Sequence, residues 1–185
     1  MRKYYSWMCR LYWYPDYSDI QGQGQGLVHL TSWIVYVTHS MNIVWPDWQY
    51  TIDFDTLISQ KPFTVLYFYP KDNTPWCTLQ AHDFNRLLLE YEAKQCQIVW
   101  VSKDTWISHQ KFISSCDLQI PLISDDGTLH ERFDTRWTKS MYGKSYQWTV
   151  RSTFIIDQQG TIIKEYRNVS VPHHAEKVLA DIPHA

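Results

Sequence analysis

The segment Phe63-Thr64-Val65-Leu66-Tyr67-Phe68-Tyr69 constrains this chain more than any other, because it is apolar, aromatic or β-branched on both faces of the strand it would form. A strand without a polar face must be covered on two sides, which makes it a central strand of a sheet flanked by helices. Pro70 ends it. The next stretch places Phe84, Leu87, Leu88 and Tyr91 at i, i+3, i+4 and i+7, the spacing of one helix face. Ile98-Val99-Trp100-Val101 reads as a second buried strand, and Asp104 stands where it can cap a helix running to about Cys116. Pro121-Leu122-Ile123-Ser124 is a short strand closed by the turn signal Asp125-Asp126-Gly127. Two further strands, Thr153 to Asp157 and Thr161 to Tyr166, flank Gln158-Gln159-Gly160 as a hairpin. A last helix carries Ala175, Val178, Leu179 and Ile182 on one face. Strands alternating with helices and finishing in a hairpin predict an α/β fold, a three-layer sandwich around a mixed β-sheet.

The legible pattern starts only near Lys61. Residues 1–47 hold Trp7, Trp13, Trp33 and Trp45 without a clear period, and the run Gln21-Gly22-Gln23-Gly24-Gln25-Gly26 has the composition of a flexible linker. The expected organisation is therefore an N-terminal extension over 1–47 and one domain over 48–185. The chain carries 17 basic and 19 acidic side chains, scattered rather than blocked, so no whole-molecule field favours nucleic acid as a partner. No apolar run approaches a bilayer span and Met1-Arg2-Lys3 opens no apolar signal core, so neither a membrane partner nor a secretory signal is expected. Four cysteines, at 9, 77, 96 and 116, are too few and too unevenly spaced for a disulfide scaffold. A reducing, cytoplasmic compartment is the expectation, and in it a cysteine is either buried filler or a reactive thiol.

Cys77 is the candidate for the second role. It lies in the turn after a central strand, where a helix opens at the carboxyl end of the sheet and open α/β folds keep their sites. At such a helix start the unpaired N–H groups and the macrodipole favour a thiolate over a thiol. Thr74, three positions earlier, can aim its hydroxyl at the same point. Against this stands the small buried hydrophobe, the commoner use of a lone cysteine.

The surrounding letters decide between the two. Val65-Leu66-Tyr67-Phe68-Tyr69-Pro70-Lys71-Asp72-Asn73-Thr74-Pro75-Trp76-Cys77-Thr78 resembles the peroxiredoxin signature P-x-x-x-T-x-x-C, in the form used by the bacterioferritin-comigratory-protein or peroxiredoxin Q branch. Ser124-Asp125-Asp126-Gly127, Met141-Tyr142-Gly143-Lys144, the segment from Arg151 to Asp157 and the stretch from His174 to Leu179 resemble later segments of that branch in the same order. The resemblance runs from about Lys61 to Ile182. It implies a thioredoxin-like fold and a thiol-dependent peroxidase acting on hydrogen peroxide and alkyl hydroperoxides. No metal, haem or flavin cofactor is implied. The implied partners are the peroxide and a thioredoxin-type or small-thiol reductant, with a monomer or weak dimer as the assembly.

Carried over residue by residue, the resemblance places the active site at Pro70, Thr74, Cys77 and Arg151. Cys77 would attack one peroxide oxygen and become a sulfenic acid, while Arg151 holds the developing charge and Thr74 aligns the O–O bond. Pro70 would shield the pocket. Three departures from the branch stand out. The position five after Cys77, where many members carry a resolving cysteine, is His82. Cys116 is the candidate resolving cysteine from a second subset, although Ile113 occupies that register; the other reading, a core cysteine sharing a face with Phe112 and Ile113, is preferred. Trp76 replaces a glycine before the reactive cysteine and raises the expectation of backbone cost or lost substrate space. Gln80 replaces a frequent glutamate. These departures motivate the alternative function, a thioredoxin-fold binding module without peroxidase activity. His173-His174 reads as a solvated helix start rather than a metal site.

Overall fold

A computed structural model describes residues 40–45, 49–141 and 144–183. Trp7, Trp13, Trp33, Cys9 and the Gln21 to Gly26 run lie outside the described residues. In chain order the elements are β1 (Ser40–Val44), β2 (Gln49–Asp53), α1 (Phe54–Ser59), β3 (Phe63–Phe68), α2 (Pro75–Arg86), α3 (Leu88–Ala93), β4 (Cys96–Ser102), α4 (Trp106–Cys116), β5 (Leu122–Ser124), α5 (Thr128–Arg132), β6 (Arg136–Met141), β7 (Lys144–Thr149), β8 (Ser152–Asp157), β9 (Ile162–Tyr166) and α6 (His174–Asp181). Among the described residues, no helix is long and apolar enough to cross a membrane.

Seven strands form one sheet in the order β2-β1-β5-β4-β3-β8-β9, and β6 and β7 pair apart from it. β3 runs parallel to β4, and β4 to β5, whereas β8 lies antiparallel to β3 and β9 antiparallel to β8. The sheet is mixed, as expected. β3 is central and buried, and its pleat divides the two cores. Val65, Tyr67 and Tyr69 join one cluster with Phe84, Tyr91, Trp100 and Phe112, while Leu66 and Phe68 join the other with Leu57, Ile58, Phe133 and Phe154. The helices α2, α3, α4 and α6 supply the first face, and α1 and α5 supply the second. At roughly 25 cal/mol per Å² of apolar surface, these two layers supply the main folding force.

Several expectations are adjusted. β1, within the stretch read as extension, pairs with both β2 and β5, so the sheet begins before the expected boundary at residue 48. Its short alternation, with Met41 and Ile43 buried, is too brief to stand out beside the aromatic run before it. The helical face through Phe84 and Tyr91 is real, but the helix breaks at Leu87 into α2 and α3. Thr105 rather than Asp104 caps α4, accepting from the Ser108 N–H at 3.4 Å. Asp104 is spent elsewhere, as described below.

His174 also departs from the expected solvated helix start. It is buried, its Nε2 lies 2.7 Å from Thr153 Oγ1, and its ring packs edge-on to Tyr166 and Phe84. Burial, reinforced by Lys177 and Arg151, pushes its pKa down to about 4 from 6.5. The folded state therefore resists a proton that the unfolded chain accepts. The stability contribution is complete above pH 6.5 and is lost as pH falls towards 4. A His174→Gln variant is expected to lose about 3 kcal/mol less stability than the parent across that window, as read from urea unfolding at several pH values.

Candidate active site

The loop from Pro70 to Thr74 hands β3 to α2, and its geometry is local. Asn73 sits at φ 54°, a left-handed position that asparagine tolerates, and its side chain accepts from Ser115 Oγ at 3.2 Å. Thr74 follows in an extended conformation as the N-cap of α2, with Pro75 at the first helical turn, where a missing N–H costs nothing. Cys77 then falls within that first turn. No acidic side chain shares the turn. The Thr74 hydroxyl makes no capping bond; it donates to the Lys71 carbonyl at 3.2 Å. Its oxygen lone pairs are thereby left as acceptors for a substrate O–H.

Arg151 arrives from the other direction. Because β8 is antiparallel to β3 with Ser152 opposite Phe68, the residue before Ser152 stands at the carboxyl end of β3. Its backbone carbonyl there accepts from the Val169 N–H at 3.0 Å. Arg151 Nη2 donates to Cys77 Sγ at 3.2 Å, joining residues 74 positions apart. Nη1 donates to the Tyr67 hydroxyl and, at 3.4 Å, to Gln80 Oε1, and the Tyr67 hydroxyl donates to the same Gln80 oxygen. Burial opposes the charge of Arg151, but Tyr67 and Cys77 outweigh it and hold the guanidinium above its ordinary pKa. Tyr67 is held above its ordinary value by burial, against the pull of Arg151, so it stays a neutral hydroxyl.

Cys77, Thr74 and Arg151 therefore meet at one end of the sheet, with Arg151 in direct contact with the sulfur. Cys77 is 0% exposed, and Pro70 stands at the surface where β3 ends. Tyr67 was not foreseen as part of the site. A tyrosine midway along an otherwise apolar central strand is the available signal, since a buried hydroxyl must find a partner. Gln80 supplies one oxygen to two donors, while its Nε2 is buried without an acceptor. Trp76 lies in α2 and is absent from the positive-φ positions, and the residue is 61% exposed. The backbone cost expected of it does not arise.

The other cysteines differ in setting. Cys96 is buried at the start of β4, and burial pushes its pKa up to about 12, which leaves it an inert thiol. Cys116 is half-buried at the end of α4, packed against the same core cluster as Cys77, and its sulfur lies 3.6 Å from Ser115 Oγ. Cys77, Cys96 and Cys116 are all free thiols. Among the described residues, no group of three or more His, Cys, Asp or Glu side chains gathers as a metal site.

Comparison with known proteins gives the same direction. Residues 44–165 match the AhpC/TSA family. The peroxiredoxin Bcp of Xanthomonas campestris is 43% identical over 117 residues, covering 63% of this chain and 73% of that protein. The peroxiredoxin Bcp of Bacillus subtilis is 41% identical over 118 residues, covering 63% and 75%. Among solved structures, the Xanthomonas campestris bacterioferritin comigratory protein, studied for its alkyl peroxide reduction activity, superposes with a TM-score of 0.71 at 34% identity, covering 78% of this chain and 89% of that one. Peroxidoxin BcpB of Mycobacterium tuberculosis superposes with a TM-score of 0.64 at 27% identity, covering 77% and 91%. A buried cysteine at a helix start under an arginine, on a thioredoxin-like sandwich that aligns over most of these relatives, leaves one assignment: the chain belongs to the AhpC/TSA family, in its Bcp and peroxiredoxin Q branch of thiol-dependent peroxidases.

Proposed function

We propose that the protein reduces hydrogen peroxide and alkyl hydroperoxides at Cys77, with Arg151, Thr74 and Pro70 completing the site. The observation that carries this reading is the 3.2 Å contact between Arg151 Nη2 and Cys77 Sγ at the first turn of α2. The Cys77 thiolate attacks the nearer peroxide oxygen, so an S–O bond forms as the O–O bond breaks. The leaving oxygen departs with the electron pair of the broken bond and takes a proton, as water or an alcohol. Arg151 lies where negative charge moves from sulfur to the leaving oxygen, and such fixed charge lowers the barrier without reorganising. Thr74 Oγ1 accepts the hydroperoxide O–H, which aligns the O–O bond with the sulfur. Pro70 keeps water from the approach.

The product sulfenic acid is attacked by a reductant thiol, releasing water and forming a mixed disulfide, and a second thiol restores Cys77. We assign the reductant to the thioredoxin-type or small-thiol class and the working place to a reducing cytoplasm, and take Cys116 as a core cysteine. The test is consumption of hydrogen peroxide and of cumene hydroperoxide with thioredoxin or dithiothreitol as donor. Turnover of both supports the reading. No turnover with either donor, in folded and reduced protein, returns the chain to a binding module.

One observation favours a second route of resolution. Ser115, next to Cys116, is hydrogen-bonded to Asn73 in the reactive loop, so the end of α4 that carries Cys116 borders the loop that must open for Cys77 to be resolved. Peptide mapping after peroxide without donor separates the routes. The preferred account expects Cys77 to stop at sulfenate and then pass to sulfinate under excess peroxide. A dominant Cys77–Cys116 disulfide that disappears in Cys116→Ser establishes the second route instead.

A further inference from the structure

Two buried histidine–aspartate pairs stand among the described residues, and one of them is built into the reactive loop. In that pair His109 Nδ1 lies 2.9 Å from Asp72 Oδ2, and His109 Nε2 lies 3.3 Å from the Ile123 carbonyl oxygen. The Tyr69 hydroxyl donates to Asp72 Oδ1 at 2.6 Å, and the Asp72 backbone N–H donates to Asp104 Oδ2 at 2.7 Å. Asp104 is itself fixed, because Ser102 Oγ donates to its carboxylate at 3.1 Å and Ser124 Oγ to its backbone carbonyl at 2.6 Å. The second pair, His130 Nδ1 and Asp125 Oδ2 at 2.6 Å, involves Thr149 and the first turn of α5. Both pairs are closed from solvent.

A carboxylate taken out of water is costly unless charge-assisted hydrogen bonds replace its hydration. Asp72 meets that requirement. Burial opposes its charge, yet His109 and Tyr69 hold the carboxyl below its ordinary range. The residue lies between Pro70 and Thr74, so these bonds tie the loop to the end of β3 through Tyr69, the residue that follows the strand, to the β4–α4 connection through Asp104 and to α4 through His109. The sulfur that this loop delivers is 0% exposed. A thiol can reach it only when the loop and the first turn of α2 open.

We propose that the Asp72–His109 pair is the lock of the reactive loop, setting how often it opens. Closed, it keeps Thr74 and Cys77 against Arg151 for the peroxide; released, it exposes the oxidised sulfur to the resolving thiol. His109 is a positioning residue that acts through Asp72 and touches no reacting atom. The peroxide half of this statement rests on the function proposed for Cys77, whereas the opening half does not.

The test uses the full chain in three variants, with the second pair as control. His109→Gln cannot bridge Asp72 and the Ile123 carbonyl together, and Asp72→Asn keeps the side-chain shape and the acceptor for Tyr69 while removing the charge. His130→Gln breaks the unrelated pair. On reduced protein three quantities are measured: alkylation of Cys77 by iodoacetamide mapped to its peptide, amide hydrogen exchange over residues 71–78, and the rate of Cys77 oxidation by hydrogen peroxide. Loss of a charge-assisted hydrogen bond predicts alkylation and exchange about tenfold faster in His109→Gln and Asp72→Asn, while oxidation slows by less than about twofold because the closed loop still predominates. His130→Gln is expected to leave all three at the parent values, even where it lowers the unfolding midpoint as much. The proposal is overturned if His130→Gln reproduces the changes, since general softening then explains them. It is equally overturned if alkylation and exchange stay unchanged in the first two variants. Should His109→Gln not fold, Asp72→Asn against His130→Gln carries the same comparison. A parent protein that does not react with peroxide contradicts the proposed function, while alkylation and exchange still decide on the lock.

Discussion

Replacing Cys77 with serine is expected to reduce peroxide consumption to the background rate of peroxide with free thiol, in a protein that still folds. The hydroxyl is too weak an acid to present an anionic nucleophile at neutral pH, and it cannot cycle through a sulfenic state. The fold tolerates the change because serine is close to cysteine in size and inherits the hydrogen bond from Arg151, so the stability difference is about 1 kcal/mol. Cys96→Ser and Cys116→Ser are expected to retain the peroxide-reducing step. The check is steady-state turnover with dithiothreitol beside thermal unfolding of each variant. Peroxide turnover in Cys77→Ser would move the chemistry to another thiol.

The second large effect is expected at Arg151. Arg151→Met keeps much of the side-chain length but removes the only cation bonded to Cys77 Sγ among the described residues, and with it the fixed charge facing the leaving oxygen. Loss of such a donor costs roughly 10²- to 10³-fold in rate. Arg151→Lys keeps a charge but not the fork that reaches Cys77 with one nitrogen and Tyr67 and Gln80 with the other. It should recover only part of the loss. Single-turnover oxidation of Cys77 measures this directly, separately from the reductant steps. A rate within a few-fold of the parent would remove Arg151 from the site.

How much of this was legible depends on how far apart the interacting residues are. The central strand was readable because its lack of a polar face is a local property, and the structure accordingly divides Tyr67 and Phe68 between two cores. The helix start at Cys77 was equally local, marked by Pro70 and the apolar spacing that follows. The break at Leu87 was hidden, since the same spacing continues across it into α3. Asp104 is a good cap by type, and only the fold reveals that the Asp72 N–H claims its carboxylate. Arg151 was reachable through family resemblance alone, because nothing near it in sequence predicts a partner 74 residues away. For the same reason the pairing of His109 with Asp72 and the burial of His174 against Tyr166 became visible only once α4 and α6 were packed on the sheet. The pairing of β6 with β7, with Trp137 opposite Trp148, is likewise visible only in the fold.

The most direct measurement of the central claim is intact mass of the reduced full chain after one equivalent of hydrogen peroxide, followed by peptide mapping with a sulfenate-trapping dione present. The account predicts one oxygen atom gained, trapped on the Cys77 peptide, with Cys96 and Cys116 still reduced. No gain of oxygen, or a trapped sulfenate on any cysteine other than Cys77, would contradict it.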